Sequence, residues 1–295
     1  MRIWLKRWVV LMVLVAFISC EKNIDFNLAE TAPVLVVDAS IENGQPPMVI
    51  LTKSFSYFDK ISPAILANAF VHNAVVTMSN GTVTHRLKEY AYPLAPGYTG
   101  FYYSLDSANL STAIVGEFNR QYDLNIQSDG QTYTSTIGIP ALAVRPDSVW
   151  FKPAPQNPDT NKRVLFIKAT DPRGLGNYIR YFTKNNSGPF LPGENSVYDD
   201  QVLDGSTYEV QLPQGIDRNA GTKADSLFFK KGDTVTLKFC NIERPAYKFW
   251  STWEFAYQGI GNPFSQPNKV LGNISNNALG AFCGYAAYYK TVIVR

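Results

Sequence analysis

Apolar and polar residues alternate in short bursts along most of the chain, the period of a strand with one buried face, and helical spacing is almost absent. Pro33-Val34-Leu35-Val36-Val37 and Met48 to Thr52 are β-branched runs separated by the breakers Asn43-Gly44 and Pro46-Pro47, which reads as strand, turn, strand. Ala74 to Ser79, then Asn80-Gly81, then Thr82 to Leu87 predicts a hairpin, because Asn-Gly accepts the positive φ angles of a two-residue type I′ turn. His85 then falls on a strand as a half-exposed residue. Phe101-Tyr102-Tyr103 is an aromatic strand, and Tyr122 to Gln127, Ser128-Asp129-Gly130 and Thr132 to Ile137 make a second hairpin. About seven short strands in about 110 residues predict an immunoglobulin-like β-sandwich over residues 33–143, closed by the loop-like Pro140 to Pro146.

Residues 144–295 predict a second β-rich domain with one short helix. Strands are expected at Ser148 to Phe151, Val164 to Thr170, Asn177 to Thr183, Thr234 to Phe239 and Lys290 to Val294, with a loop-rich stretch from Asn185 to Gly221. The helix runs from Pro245 to about Tyr257, with proline in the first turn, where its missing donor costs nothing. Tyr247, Phe249, Trp250 and Trp253 spread aromatics over more of its circumference than one core-facing stripe needs. That surplus is either covered by neighbouring loops or left as a docking face.

The first twenty residues follow a different rule. Met1 to Arg7 carries Arg2, Lys6 and Arg7 with no acid, Trp8 to Ile18 is an apolar run, and Ser19-Cys20 follows, which predicts a signal peptide over residues 1–20 and a leader over 21–32. Eleven apolar residues rise only about 16 Å as a helix, roughly half a bilayer core. Phe17-Ile18-Ser19-Cys20 resembles a bacterial lipobox, in which the cysteine thiol is acylated and becomes the new N-terminus, with Phe17 where leucine is usual. Cys20 is therefore the expected lipidation site. The acidic start Glu21-Lys22-Asn23-Ile24-Asp25 is compatible with outer-membrane sorting and with display on the cell surface.

Composition narrows the function classes. Aromatics make up 14% of the 295 residues and charged residues only 17%, which suits folded cores rather than disorder. Basic residues number 27 and acidic residues 24, so without the three cations of the signal the two signs balance. A neutral chain lacks the phosphate attraction on which nucleic-acid binding rests. Cys240 and Cys283 remain once Cys20 is acylated, either as a disulfide or as two buried thiols. With only His72 and His85 and no CxxC, no metal site is expected.

Several local patterns together resemble the DUF4249 family of Bacteroidetes lipoproteins. They are the lipobox at Cys20, Pro33-Val34-Leu35-Val36-Val37, Thr136-Ile137-Gly138-Ile139-Pro140, Lys231-Gly232-Asp233-Thr234-Val235, and the closing series Asn262-Pro263-Phe264, Asn273-Ile274-Ser275 and Ala278-Leu279-Gly280. The resemblance covers nearly all of the mature chain. It implies a lipid-anchored outer-membrane protein of two β-rich parts, often encoded near TonB-dependent transporters, with no established enzyme activity and no catalytic residue to carry over.

The expected function is a non-enzymatic accessory partner of a TonB-dependent β-barrel in nutrient capture, without a cofactor. The alternative is a surface binder of peptide or glycan through an aromatic-rich face of residues 144–295. A hydrolase would need two carboxylates about 5 to 10 Å apart. The cluster Asp199, Asp200 and Asp204 is the only candidate, but neighbours on a strand face opposite sides, and these residues read as solvated turn positions. Neither histidine stands beside a Gly-x-Ser-x-Gly turn, so no catalytic residue is assigned.

Overall fold

The computed structural model describes residues 32–55, 62–218, 227–262, 264–266 and 268–295. Cys20, with the rest of the expected signal and all but the end of the leader, lies outside the described residues. The fold is mainly β and sandwich-like, built from three sheets.

The strands of the large sheet come from both ends of the chain. From the N-terminal part come β1 (Leu35–Glu42), β2 (Met48–Lys53), β5 (Lys88–Ala95) and β6 (Tyr98–Ser104). The later part supplies β11 (Tyr178–Asn185), β12 (Phe190–Tyr198), β15 (Thr234–Ile242) and β16 (Leu279–Ile293). They pair in the order β12-β11-β15-β16-β1-β2-β6-β5. Only β1 and β16 run parallel, with Val36 opposite Leu279 and Glu42 opposite Tyr285. A second sheet is β4-β3-β7-β8, from β3 (Val75–Ser79), β4 (Thr84–Arg86), β7 (Arg120–Ser128) and β8 (Gln131–Ile139). The third is built on β10 (Lys162–Thr170), flanked by β9 (Pro146–Pro153), β13 (Thr207–Leu212) and the short β14 (Phe229–Lys230).

Residues 33–143 and 144–295 share both a sheet and a core: the eight-stranded sheet takes four strands from each, and the core around Val37 and Leu124 also takes in Ala278, Phe282 and Ala286. Alternation along β16 shows how its faces are used. Phe282 and Ala286 pack into a core with Val37 and Ile41 of β1 and Leu124 and Ile137 of the second sheet. Ala281, Cys283, Tyr285 and Ala287 point the other way, against Ala246 and Phe249 of the helix α2 (Arg244–Gln258). Phe239 of β15 pairs with Tyr288, on the Phe282 side, and packs with Leu165 and Ile167 of the third sheet. The two small sheets thus lie side by side on one face of the large sheet, and α2 covers part of the other.

The join between them is tight. A Cβ on Gly284 would come within 2.1 Å of the Gly138 carbonyl, so only glycine lets β16 pass this close to β8. The Asn241 side chain accepts from the Val144 amide at 2.8 Å and donates to the Val144 carbonyl at 2.7 Å, which pins the chain as it leaves the first core.

Several expectations change in the structure. The loop-rich stretch from Asn185 to Gly221 holds β12 and β13. The last strand begins at Leu279, eleven residues before the expected start, because its middle is buried on both faces and shows no alternation. A second helix, α1 (Pro63–Asn68), opens with the Ser62 hydroxyl accepting from the Ile65 amide. Asn80-Gly81 belongs to a four-residue loop, since Ser79 pairs with Thr84. The two-residue turn is Asp129-Gly130, with φ of 51° and 73°. His85 is fully buried rather than half-exposed. Its Nε2 accepts from the Asp106 amide at 3.0 Å, so Nδ1 carries the proton and donates to the Thr112 hydroxyl at 2.9 Å.

Candidate functional site

Beneath α2 the surplus aromatics, which the sequence left either covered by neighbouring loops or free as a docking face, are packed around charge. Arg180 of β11 lays its guanidinium 3.3 Å from the centre of the Trp250 ring, and donates to the Tyr285 hydroxyl at 2.7 Å and to the Ser196 hydroxyl at 3.3 Å. Glu254, on the inner side of α2, accepts from the Ser196 amide at 2.9 Å and from its hydroxyl. Arg218 closes the group, 3.4 Å from Glu254 and 5.0 Å from the Trp253 ring centre. Burial pulls the Arg218 guanidinium down from its ordinary range, and the neighbouring Glu254 charge works against that. Trp250 and Trp253 are thereby engaged from within the chain.

A second cation on the same face of the large sheet is also enclosed. Lys238 of β15 pairs with Glu42, which takes a further hydrogen bond from the Tyr289 hydroxyl. The Lys238 ammonium lies 5.2 Å from the Phe182 ring centre and 5.6 Å from that of Tyr285. The cage already holds its cation.

Cys240 and Cys283 are both free and buried. Cys240 pairs with Ala287, four residues beyond Cys283, or about 13 Å along the strand, too far for a disulfide. Burial pushes the Cys240 thiol up to about 12 and the Cys283 thiol to about 11, which leaves both protonated and unreactive.

Of the acidic turn residues Asp204 is exposed, as a solvated position should be, Asp199 is half-buried and Asp200 is buried. Two loops meet at one end of the third sheet, residues 171–177 after β10 and 199–206 after β12. The Asp171 amide donates to the Ser206 carbonyl at 2.9 Å. Asp204 accepts from the Gly174 amide at 2.6 Å, and Asp200 accepts from the amides of Gly176 and Asn177, both at 2.8 Å. Asp199 turns instead to the Tyr247 hydroxyl of α2 at 3.1 Å, so the neighbouring carboxylates do diverge. Asp200 is buried, which corrects the solvated reading for that residue.

Between the loops and the two sheets lies a cavity of about 90 Å³. Its walls are apolar, from Ile167, Ile179, Val210, Leu212 and Phe239, and its polar end carries Asp171, Asp200 and the Tyr208 ring. Asp171 was not singled out by the sequence. Only 4% of it is exposed, and its Oδ2 has no hydrogen-bond partner. Burial pushes the Asp171 carboxyl up, the Asp200 charge adds to this, and the Gly205 amide and Asn177 side chain oppose it. The Tyr208 hydroxyl is pushed up to about 12 by burial and by the charges of Asp171 and Asp147. The sequence signal was a pair of Asp-containing turns, Asp171-Pro172-Arg173-Gly174 and Asp204-Gly205, following separate strands. Nothing local to either turn says that they meet.

The model of a family described as "Domain of unknown function (DUF4249)" matches residues 21–291. No curated protein matches the chain.

Proposed function

The chain belongs to the DUF4249 family, and from that premise we propose that it is a non-enzymatic lipoprotein of the cell envelope, an accessory partner of a TonB-dependent outer-membrane transporter in nutrient capture. The observation that carries this reading is the order of the first twenty residues, a basic start, an apolar run and Ser19-Cys20. A diacylglyceryl group on Cys20 together with an amide-linked chain gives the two anchors that durable attachment needs. The twelve-residue leader from 21 to 32 spans up to about 40 Å when extended, enough to let the folded body reach past lipid headgroups to a neighbouring protein.

A contact surface for such a neighbour is offered after α2. Ile260 is 76% and Phe264 91% exposed, and Phe255 and Leu271 are exposed beside them in sequence. Apolar surface of this kind suits protein contact. The reading as a peptide or glycan binder through the aromatic face has less support, since Arg180 and Arg218 already occupy the rings of Trp250 and Trp253.

Mass spectrometry of the mature protein tests the anchor. The expected N-terminus is Cys20 with three acyl chains, and Cys20→Ala is expected to move the protein out of the membrane fraction. Pull-down in mild detergent is expected to bring an intact β-barrel with it. An unmodified Cys20 thiol, or purified protein with no barrel partner, overturns the reading.

A further inference from the structure

A strand at the edge of a sheet leaves half of its backbone amides and carbonyls without a neighbour, and proteins guard such edges with proline, bulges, shortness or cover. Most edges of the three sheets are guarded in these ways. β12 carries Pro192 and a register break, and its outer carbonyls accept from the Ile216 amide and from Arg218. β5 carries Pro93 with a register break beside it. β4 is three residues long, and β8 is covered by Ser275 at Thr134 and by Glu243 at the Gly138 amide. β9 has proline at both ends and a register break against β10. β13 differs. Thr207–Leu212 pairs with β10 without a break and contains neither proline nor a basic residue. Among the described residues, no group outside β10 is bonded to its main chain.

We propose that β13 takes up an extended segment of a partner protein as an added antiparallel strand. Its open amides and carbonyls supply the attraction, and alternate side chains of the incoming segment supply the selectivity. Tyr208, Val210 and Leu212 point inward, toward the large sheet. Residues of the added strand on that face meet Tyr198, which is 38% exposed, stacks on Tyr181 and lines the cavity with Tyr208 and Val210. Apolar side chains suit that face. On the other face β13 shows Thr207, Glu209 and Gln211, all exposed. Lys168 of β10 stands opposite Glu209, so a cation on the added strand opposite Glu209 completes a row of alternating charge. A second copy of this chain fits less well, because its own β13 offers an acid and no cation. The edge is distinct from the apolar residues after α2. The inference rests on neither lipidation nor a transporter partner, so it can fail while those hold.

Calorimetry on the full-length protein in detergent tests it with the blocked peptide acetyl-Val-Thr-Val-Lys-Val-Thr-Val-amide, whose valines form one face and whose lysine is central on the other. Two further versions carry N-methyl groups, one on the valine amides and one on the threonine and lysine amides. Neighbouring amides of a strand point to opposite sides, so one version loses its donors to β13 and the other keeps them. One methylated peptide is expected to bind at least tenfold more weakly than the parent, and the other to bind as the parent does. Replacing the peptide's lysine by glutamate is expected to weaken binding, and Glu209→Lys, a change at an exposed position that leaves the core untouched, is expected to reverse that preference. No binding of the parent peptide, equal loss with both methylated peptides, a lysine preference unchanged in Glu209→Lys, or a dimer of the protein that excludes the peptide overturns the proposal.

Discussion

Glu254 and Asp171 are each 4% exposed, and both lie against the eight-stranded sheet, on opposite faces. Glu254 sits under α2 with Ser196 and Arg218 within hydrogen-bonding reach of its two oxygens. Asp171 sits in the cavity with Oδ2 unpartnered. One buried carboxylate is a joint in the structure, and the other keeps one oxygen that no donor reaches. Burial alone does not separate the two roles; the count of donors around each oxygen does.

The largest expected effect falls on the joint. Glu254→Ala leaves the Ser196 amide without its acceptor and the Arg218 guanidinium without its counter-charge, with only the Gly193 and Glu194 carbonyls to accept from it, and we expect a loss of about 3–5 kcal/mol in urea denaturation. A loss below about 1 kcal/mol would break the contrast with Asp171. Asn241 provides a second engaged group, holding Val144 through both its amide and carbonyl. Asn241→Ala is expected to cost about 1–3 kcal/mol by the same measurement, because two buried backbone groups lose partners.

Asp171→Asn is expected to move stability the other way. The fold holds this carboxyl above its ordinary value of 3.8, so the unfolded chain releases the proton at lower pH than the folded one. That penalty is absent below the ordinary value and complete above the folded pKa, so parent stability falls as pH rises through this window. The asparagine chain escapes the fall. Thermal melts across pH should therefore show Asp171→Asn gaining on the parent from acid to neutral, and a parallel pair of curves would remove the ionised carboxylate from the account. The smallest effect concerns the thiols. Cys240 and Cys283 are unpaired in the fold, so a reductant should leave the melting temperature unchanged, and thiol reagents should label both only after unfolding.

Strands with one wet face were legible in the sequence, as β7 and β8 show. Tyr122, Leu124 and Ile126 alternate with polar neighbours, and Asp129-Gly130 marks the turn between them. The helix was legible too, from Pro245 and its aromatic spacing. Where both faces are buried the period vanishes, which is why most of β16 escaped notice. In β12 and β13 it was hidden differently. Gly193, Pro192 and the nearby Asp-rich turn gave loop signals, while pairing with β11 and β10 held these segments as strands.

The sequence by itself determined the β class of the fold, the position of α2 and membership of a family, since each of these rests on residues adjacent or periodic along the chain. Only the tertiary structure decided that the first and last strands run parallel in a shared sheet, that Trp250 is covered by a buried arginine, and that Asp171 meets Asp200 across a cavity. Those are contacts between segments up to hundreds of residues apart. Their free energy depends on which donors and which solvent surround each group after the chain has closed, and no local pattern encodes that.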